Sequence, residues 1–234
     1  MKTFIIIPVY NERGTILEIL HRVLSVNIEK EIIVVDDGSS DGTAQILKNV
    51  EGSNIKIIYH SINKGKGASI RTGLRCIPED YDSDDKDIVI FQDADLEYDP
   101  NEYKKLTKPI IDGCADVVYG SRLIGGCPHR AYLFWHLLGN NLLTLITNVL
   151  YNTTLSDMET GYKVFRKKVI KNLKLRSNGF SIEAEVTAKI FKKKLIVYEI
   201  PISYFGRSYK EGKKITWRHG VSAVFALLWY RFFD

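Results

Sequence analysis

Four short, largely apolar runs punctuate the first 92 positions: Phe4 to Val9, Ile32 to Val35, Ile55 to Tyr59 and Ile88 to Gln92. Between them apolar residues recur at helical spacing. Thr15 to Val26 reads as an amphipathic helix, a second follows the turn at Asp36 to Asp41 and continues through Lys48, and a third follows Gly65 and Gly67 and ends at Cys76. Strands apolar on both faces, alternating with helices, predict a parallel sheet covered on both sides. Asp99-Pro100-Asn101-Glu102 then carries an N-cap, a proline at the first helical position and a capping-box glutamate. Val117 to Tyr119 reads as another short strand.

The pattern changes after residue 130. From Ala131 to Ser156 run 26 residues without Asp, Glu, Lys or Arg, long enough to raise the question of a membrane span. Polar residues at His136, Asn140, Thr144, Thr147 and Asn152 make a stripe, with Asn141 and Asn148 beside it. A true span is apolar nearly all round, so an amphipathic helix lying on the protein or on a bilayer fits better. A strand at Tyr162 to Phe165, a helix at Ile182 to Phe191 and a strand at Leu195 to Tyr204 are expected next. The chain ends in Trp217 to Phe233, aromatic and preceded by lysines. At 1.5 Å per residue that helix covers only about 25 Å, too short to span comfortably. It reads as an interfacial anchor, or as packing against the domain or a second copy in a homo-oligomer.

Composition narrows the class. A chain of 234 residues, 45% hydrophobic and 26% charged, suits one large globular domain or a domain with an appendage. Cys76, Cys114 and Cys127 form no CxxC pair, which favours reduced thiols in a cytosolic setting over a disulfide framework or zinc site. The N-terminal apolar run is too short for a signal peptide. Net charge is +5, with acidic residues gathered in Asp80 to Asp99 and basic ones in Lys192 to Lys194 and Lys210 to Arg218. No aromatic stacking platform interleaves the basic segments, so a nucleic-acid role is excluded from the leading readings.

The unusual residues sit where strands should end. Phe91-Gln92-Asp93-Ala94-Asp95-Leu96-Glu97 crowds three carboxylates at i, i+2 and i+4 after the fourth strand. Mutual repulsion makes such a cluster a natural guest site for Mg²⁺ or Mn²⁺, commonly with a phosphate. Pro8 to Glu12 leaves the first strand and Asp36-Asp37-Gly38-Ser39 the second. Ligands bind outside the carboxyl ends of such strands, so these loops should converge on one crevice. Asp37 could receive a base or ribose, or simply shape an Asx turn; Lys64 and Lys66 could reach phosphate. There is no Walker loop and no GxGxxG.

As a set, Pro8-Val9-Tyr10-Asn11-Glu12, Val35 to Thr43, Asn63-Lys64-Gly65-Lys66-Gly67 and Asp93-Ala94-Asp95 resemble family 2 glycosyltransferases over roughly residues 4 to 125. Gly120-Ser121-Arg122, Asp157 to Lys163, Gly179-Phe180 with Glu183 or Glu185, and Pro201 to Lys214 resemble the branch of dolichol-phosphate mannose synthases and polyprenyl-phosphate glucosyltransferases. The resemblance implies an α/β GT-A fold in a domain of residues 1–210, with a nucleotide-sugar half to about 125 and an acceptor half from 126 to 210. An interface helix over 211–234 would follow. It implies that Pro8, Val9, Tyr10, Glu12, Asp37, Lys66, Asp93 and Ala94 hold the nucleotide. Asp93 and Asp95, with Glu97 as an outer partner, would bind Mg²⁺ or Mn²⁺. Ser121, Arg122, Arg130, Arg207 and Lys213 would hold phosphate, and Asp95, Asp157, Arg122 and Arg207 would carry catalysis. Many relatives continue into transmembrane helices; an ending after one short helix implies either peripheral attachment at the cytosolic face of a membrane or a piece of a longer chain.

The implied reaction moves glucose or mannose from a UDP- or GDP-sugar to a polyprenyl phosphate with inversion. A phosphate monoester is mostly ionised near neutral pH, its second pKa being about 6, and needs positioning more than a base. Asp157 or Glu159 would be the base if the acceptor were instead a glycan hydroxyl, which is the alternative enzyme. A membrane-binding module without catalysis is the third reading.

Overall fold

The computed structural model describes residues 1–50, 52–79, 86–128, 130–131, 133–208, 212 and 217–233. Among them the elements run β1 (Thr3–Val9), α1 (Ile16–Ser25), β2 (Lys30–Asp36), α2 (Thr43–Leu47), β3 (Ile55–Tyr59), α3 (Lys66–Cys76) and β4 (Ile88–Phe91). There follow a 3₁₀ turn (Pro100–Glu102), α4 (Tyr103–Ile111), β5 (Val117–Ser121), α5 (Phe134–Tyr151), β6 (Lys163–Arg166), α6 (Lys167–Lys171), α7 (Ile182–Lys192), β7 (Val197–Pro201) and α8 (Trp217–Phe232). The described strands form a sheet ordered β3-β2-β1-β4-β6-β5-β7. All neighbours are parallel except β6, which runs antiparallel to both β4 and β5.

The apolar runs are buried on both faces because the pleat sends alternate side chains to opposite sides. Ile5, Ile7, Ile32 and Val34 pack with α1 and α4, while Phe4, Ile6, Ile33 and Val35 pack toward α3, α7 and α8. Register agrees with this sorting, since Ile5 stands opposite Ile32 and Ile6 opposite Ile33. Asp99 caps the 3₁₀ turn by accepting from the Asn101 N–H, as the capping signal requires.

The uncharged stretch after residue 130 forms α5, and its polarity is inverted. Thr144 and Thr147 are buried, whereas Phe134, Trp135, Leu142, Leu145 and Val149 stand exposed. The middle of the polar stripe, from Asn140 to Thr147, therefore turns toward the protein, whereas Asn152 is exposed and most of the apolar side faces outward. No described helix is long and apolar enough to cross a membrane. Helix α8 buries Ala223 and Leu227 in the core shared with α7, and exposes Phe225, Trp229 and Phe232. The expected boundary at residue 210 lies outside the described residues, as does Lys213.

Candidate active site

The carboxyl ends of β1, β2 and β4 open onto one cleft of about 360 Å³, within the range of small-molecule sites. At one end Asp37, following β2, is almost wholly buried. Its Oδ1 meets Nδ1 of His60 at 2.7 Å and accepts from the Lys64 N–H at 3.0 Å; its Oδ2 accepts from the Gly65 N–H at 2.7 Å. Asp37 thus clasps the Asn63–Gly65 loop to the second strand. Gly65 has a φ of +95°, and a Cβ there would lie 2.5 Å from the Asn178 carbonyl, so only glycine brings this loop against the acceptor half.

The acidic triplet stands in the middle of the cleft. Asp93 receives Nζ of Lys66 at 2.7 Å, and Lys66 also reaches Glu183 at 3.1 Å. Burial opposes the charge on Lys66, but Asp93 and Glu183 more than offset it, and the ammonium stays protonated well above its usual range. Asp95 faces Arg207 at 3.7 Å, and the same guanidinium lies 3.0 Å from Glu12. Leu96 adopts a left-handed φ of +63°, which swings the chain between Asp95 and Glu97. Glu97 consequently accepts from the Tyr204 hydroxyl at 2.7 Å and from the Arg207 N–H at 2.7 Å, tying down the segment after β7. Among the described residues no three acidic or His/Cys side chains gather tightly enough for a metal cage. Asp93 and Asp95 remain as two adjacent carboxylates, each facing a protein cation; that donor set suits a hard ion whose other ligands are phosphate and water.

The second half of the chain supplies a largely buried ion pair. Arg122 donates from Nε and Nη2 to Asp157 at 2.6 and 2.7 Å. Burial would raise the Asp157 carboxyl, but the Arg122 charge overrides it and holds it below the usual range. Asn140 of α5 donates to the same carboxylate at 3.1 Å. The inward stripe of α5 continues this clasp: Thr144 accepts from the Met158 N–H, and Asn148 both donates to and accepts from the Leu155 backbone. Glu199 of β7 accepts from the Ser156 and Asp157 N–H groups. Asp157 has no exposed surface, whereas Arg122 lines the cleft and lies 5.1 Å from the Tyr204 ring centroid.

Beyond Asp93 the floor is a charge network. Lys163 of β6, wholly buried, pairs with Glu183 of α7 and donates to the Met158 and Thr160 carbonyls. Glu159 lies beside it; burial first, then the Glu183 charge, push its carboxyl up to about 7. Phe180 and His219, with ring centroids 4.7 Å apart, close this end and bring α8 to the cleft.

Of the residues singled out from sequence, Pro8, Val9, Tyr10, Glu12, Asp37, Lys66, Asp93, Ala94, Asp95, Glu97, Arg122 and Arg207 line one cleft. Asp157, Ser121 and Arg130 stand behind it. Ser121 is buried against Ser156, and Arg130 donates from its N–H to Tyr204 and from Nη1 to Gly206, bracing the segment that carries Arg207. Tyr98, Ser69, Gly161, Phe180, Tyr204 and His219 also line the cleft. Their types signal nothing alone; only β6 running antiparallel beside β4 brings the acceptor half to the first.

The fold is that of the GT-A glycosyltransferase class. The chain matches Glycosyl transferase family 2 over residues 4–174 and belongs to that family. It is 30% identical to the UDP-N-acetylglucosamine–dolichyl-phosphate N-acetylglucosaminyltransferase of Methanococcus voltae, over 96% of this chain and 94% of that protein. It is 27% identical to the polyprenol monophosphomannose synthase of Mycolicibacterium smegmatis, over 88% and 78% of the two chains. Among solved structures it shares its fold with glucosyl-3-phosphoglycerate synthase from Mycobacterium tuberculosis in complex with Mn²⁺, UDP and phosphoglyceric acid. There the TM-score is 0.72 at 17% identity, over 100% of this chain and 79% of that one.

Proposed function

We propose that this glycosyltransferase moves a hexose from a nucleotide-diphosphate sugar to a polyprenyl phosphate at a membrane surface, with inversion. The observation that carries the reading is that two guanidinium groups, Arg122 and Arg207, line one cleft with Asp93 and Asp95. An anionic acceptor must approach an anionic donor there, and guanidinium groups mask that repulsion. The names of the M. voltae and M. smegmatis relatives, which carry lipid phosphates, support the same acceptor class.

Mg²⁺ or Mn²⁺ held by Asp93 and Asp95 would supply Lewis-acid charge to the leaving nucleoside diphosphate. Lys66 and Arg207, which balance those carboxylates in the structure, are placed to serve phosphate oxygens in the ternary complex. Asp157 acts one step back, fixing the Arg122 fork that positions the acceptor phosphate; a phosphate acceptor needs no base from it. Glu97 holds the strap carrying Arg207.

The outward apolar faces of α5 and α8 support docking on a bilayer surface, which would deliver a lipid acceptor to the α8 end of the cleft. Transfer from UDP-glucose, UDP-N-acetylglucosamine and GDP-mannose to undecaprenyl or dolichyl phosphate, with Mg²⁺ or Mn²⁺, tests the proposal. Asp95→Ala should lower turnover by at least two orders of magnitude. Undiminished transfer by that variant would refute the role given to Asp95.

A further inference from the structure

The far end of the cleft holds a carboxyl oxygen that makes no hydrogen bond. Glu159 lines the cleft, and its Oε1 is shielded yet makes no hydrogen bond. A buried polar atom left unmade costs about 1–3 kcal/mol, and such atoms concentrate where a ligand completes them.

Its position says which part of a donor it meets. The nucleoside end of the cleft is the Asp37–Gly65 clasp, and Asp93 and Asp95 stand in the middle. Gly161, two residues after Glu159, runs so close to Asp93 that a Cβ there would lie 2.4 Å from Oδ2. Glu159 therefore belongs to the wall just past the diphosphate edge, together with Tyr98, Phe180 and Glu183. A nucleotide-sugar laid along these markers places its sugar here.

The chemistry excludes the other groups. A phosphate would face the Glu159 carboxyl with Lys163 and Lys66 already committed to Glu183 and Asp93. A metal ion would find Glu183 already paired with Lys163 and Lys66, and no third acidic partner among the described residues. A neutral hydroxyl suits the site, because it donates to a carboxylate and accepts from a carboxylic acid.

Resting on the glycosyltransferase reading, we propose that Glu159 is a specificity-determining residue whose carboxyl group binds a hydroxyl of the transferred sugar, turning Oε1 toward the cleft to complete its hydrogen bonding. Glu183, locked by Lys163 and Lys66, holds the wall against which that sugar sits. The near-neutral titration of Glu159 lets it serve as acceptor or donor across ordinary pH.

The test compares nucleotide with nucleotide-sugar binding by calorimetry at saturating Mn²⁺. The probes are UDP, UDP-glucose, UDP-N-acetylglucosamine, GDP and GDP-mannose. In the wild-type protein the preferred nucleotide-sugar should bind at least tenfold tighter than its parent nucleotide. Glu159→Ala should erase that gain while binding the nucleotide as the wild type does, and Glu159→Gln should keep part of it. Retained nucleotide binding also shows that the variants fold. A full sugar-dependent gain in Glu159→Ala overturns the proposal, and so does an equal loss for nucleotide and nucleotide-sugar. If the wild-type protein binds none of the five probes, the donor class itself fails, and this inference falls with it.

Discussion

Gly161 runs so close to Asp93 that any side chain there would displace the carboxylate. The Cβ of an alanine would meet Asp93 Oδ2 at 2.4 Å and push the carboxylate off Lys66. Gly161→Ala should therefore weaken Mn²⁺-dependent nucleotide binding at least tenfold while far-UV circular dichroism stays native; unchanged binding would show that Asp93 tolerates displacement. Glu159 makes a second residue-level prediction. Burial first, then the charges of Glu183 and Asp157, raise its carboxyl from 4.5 to about 7 against the opposing pull of Lys163 and Arg122. Between those values the folded protein holds a proton that the unfolded chain has released. Its contribution thus favours folding at low pH and is lost as pH rises through about 7. Chemical denaturation from pH 5 to 8 should show wild-type stability falling relative to Glu159→Gln, by on the order of 2 kcal/mol. A pH-independent difference would contradict the shift. The Arg122–Asp157 pair adds a third. Asp157→Ala leaves a buried guanidinium unpaired and should cost about 3–5 kcal/mol of stability.

At the scale of elements, the strands and helices of the first half were legible because both-face burial leaves unbroken apolar runs. The strand-end positions of Asp37 and Asp93 were legible for the same reason. The second half hid more. The four-residue strand β6 carries Lys163 and Arg166, and its antiparallel insertion between β4 and β5 has no signature in periodicity. That insertion is what brings Glu159 and Gly161 to Asp93; Glu159 was legible only as a candidate base for a glycan hydroxyl, and its place on the cleft wall was hidden. The acidic triplet read as one cluster because spacing cannot show the left-handed turn at Leu96 that sends Glu97 to Tyr204. Helix α5 was legible as amphipathic, but sequence does not say which face turns inward; the backbone and carboxylate of residues 155–158, needing partners, take the polar one. Placing charge on the outer face should leave that clasp intact. Trp135→Glu combined with Phe225→Glu should cut co-sedimentation with anionic vesicles severalfold without moving the melting temperature by more than a few degrees. Undiminished sedimentation would argue that these faces serve another contact.

As a whole molecule, the chain is a sheet whose carboxyl edge carries the donor loops. Across one cleft, α7, α8 and the segment after β7 carry the groups that face them. On the proposed function, an acceptor tail held at the exposed apolar side chains of α5 and α8 and a phosphate head at Arg122 and Arg207 would be engaged together. The distinction that matters is the atom that receives the sugar. Wild-type protein should be given one donor from the UDP- and GDP-sugar panel, with Mn²⁺ and an equimolar mixture of undecaprenyl phosphate and free sugar acceptors, and the products read by mass spectrometry. The account predicts that at least nine-tenths of the transferred sugar appears as a polyprenyl-phosphate glycoside; product formed only on a sugar hydroxyl would contradict it.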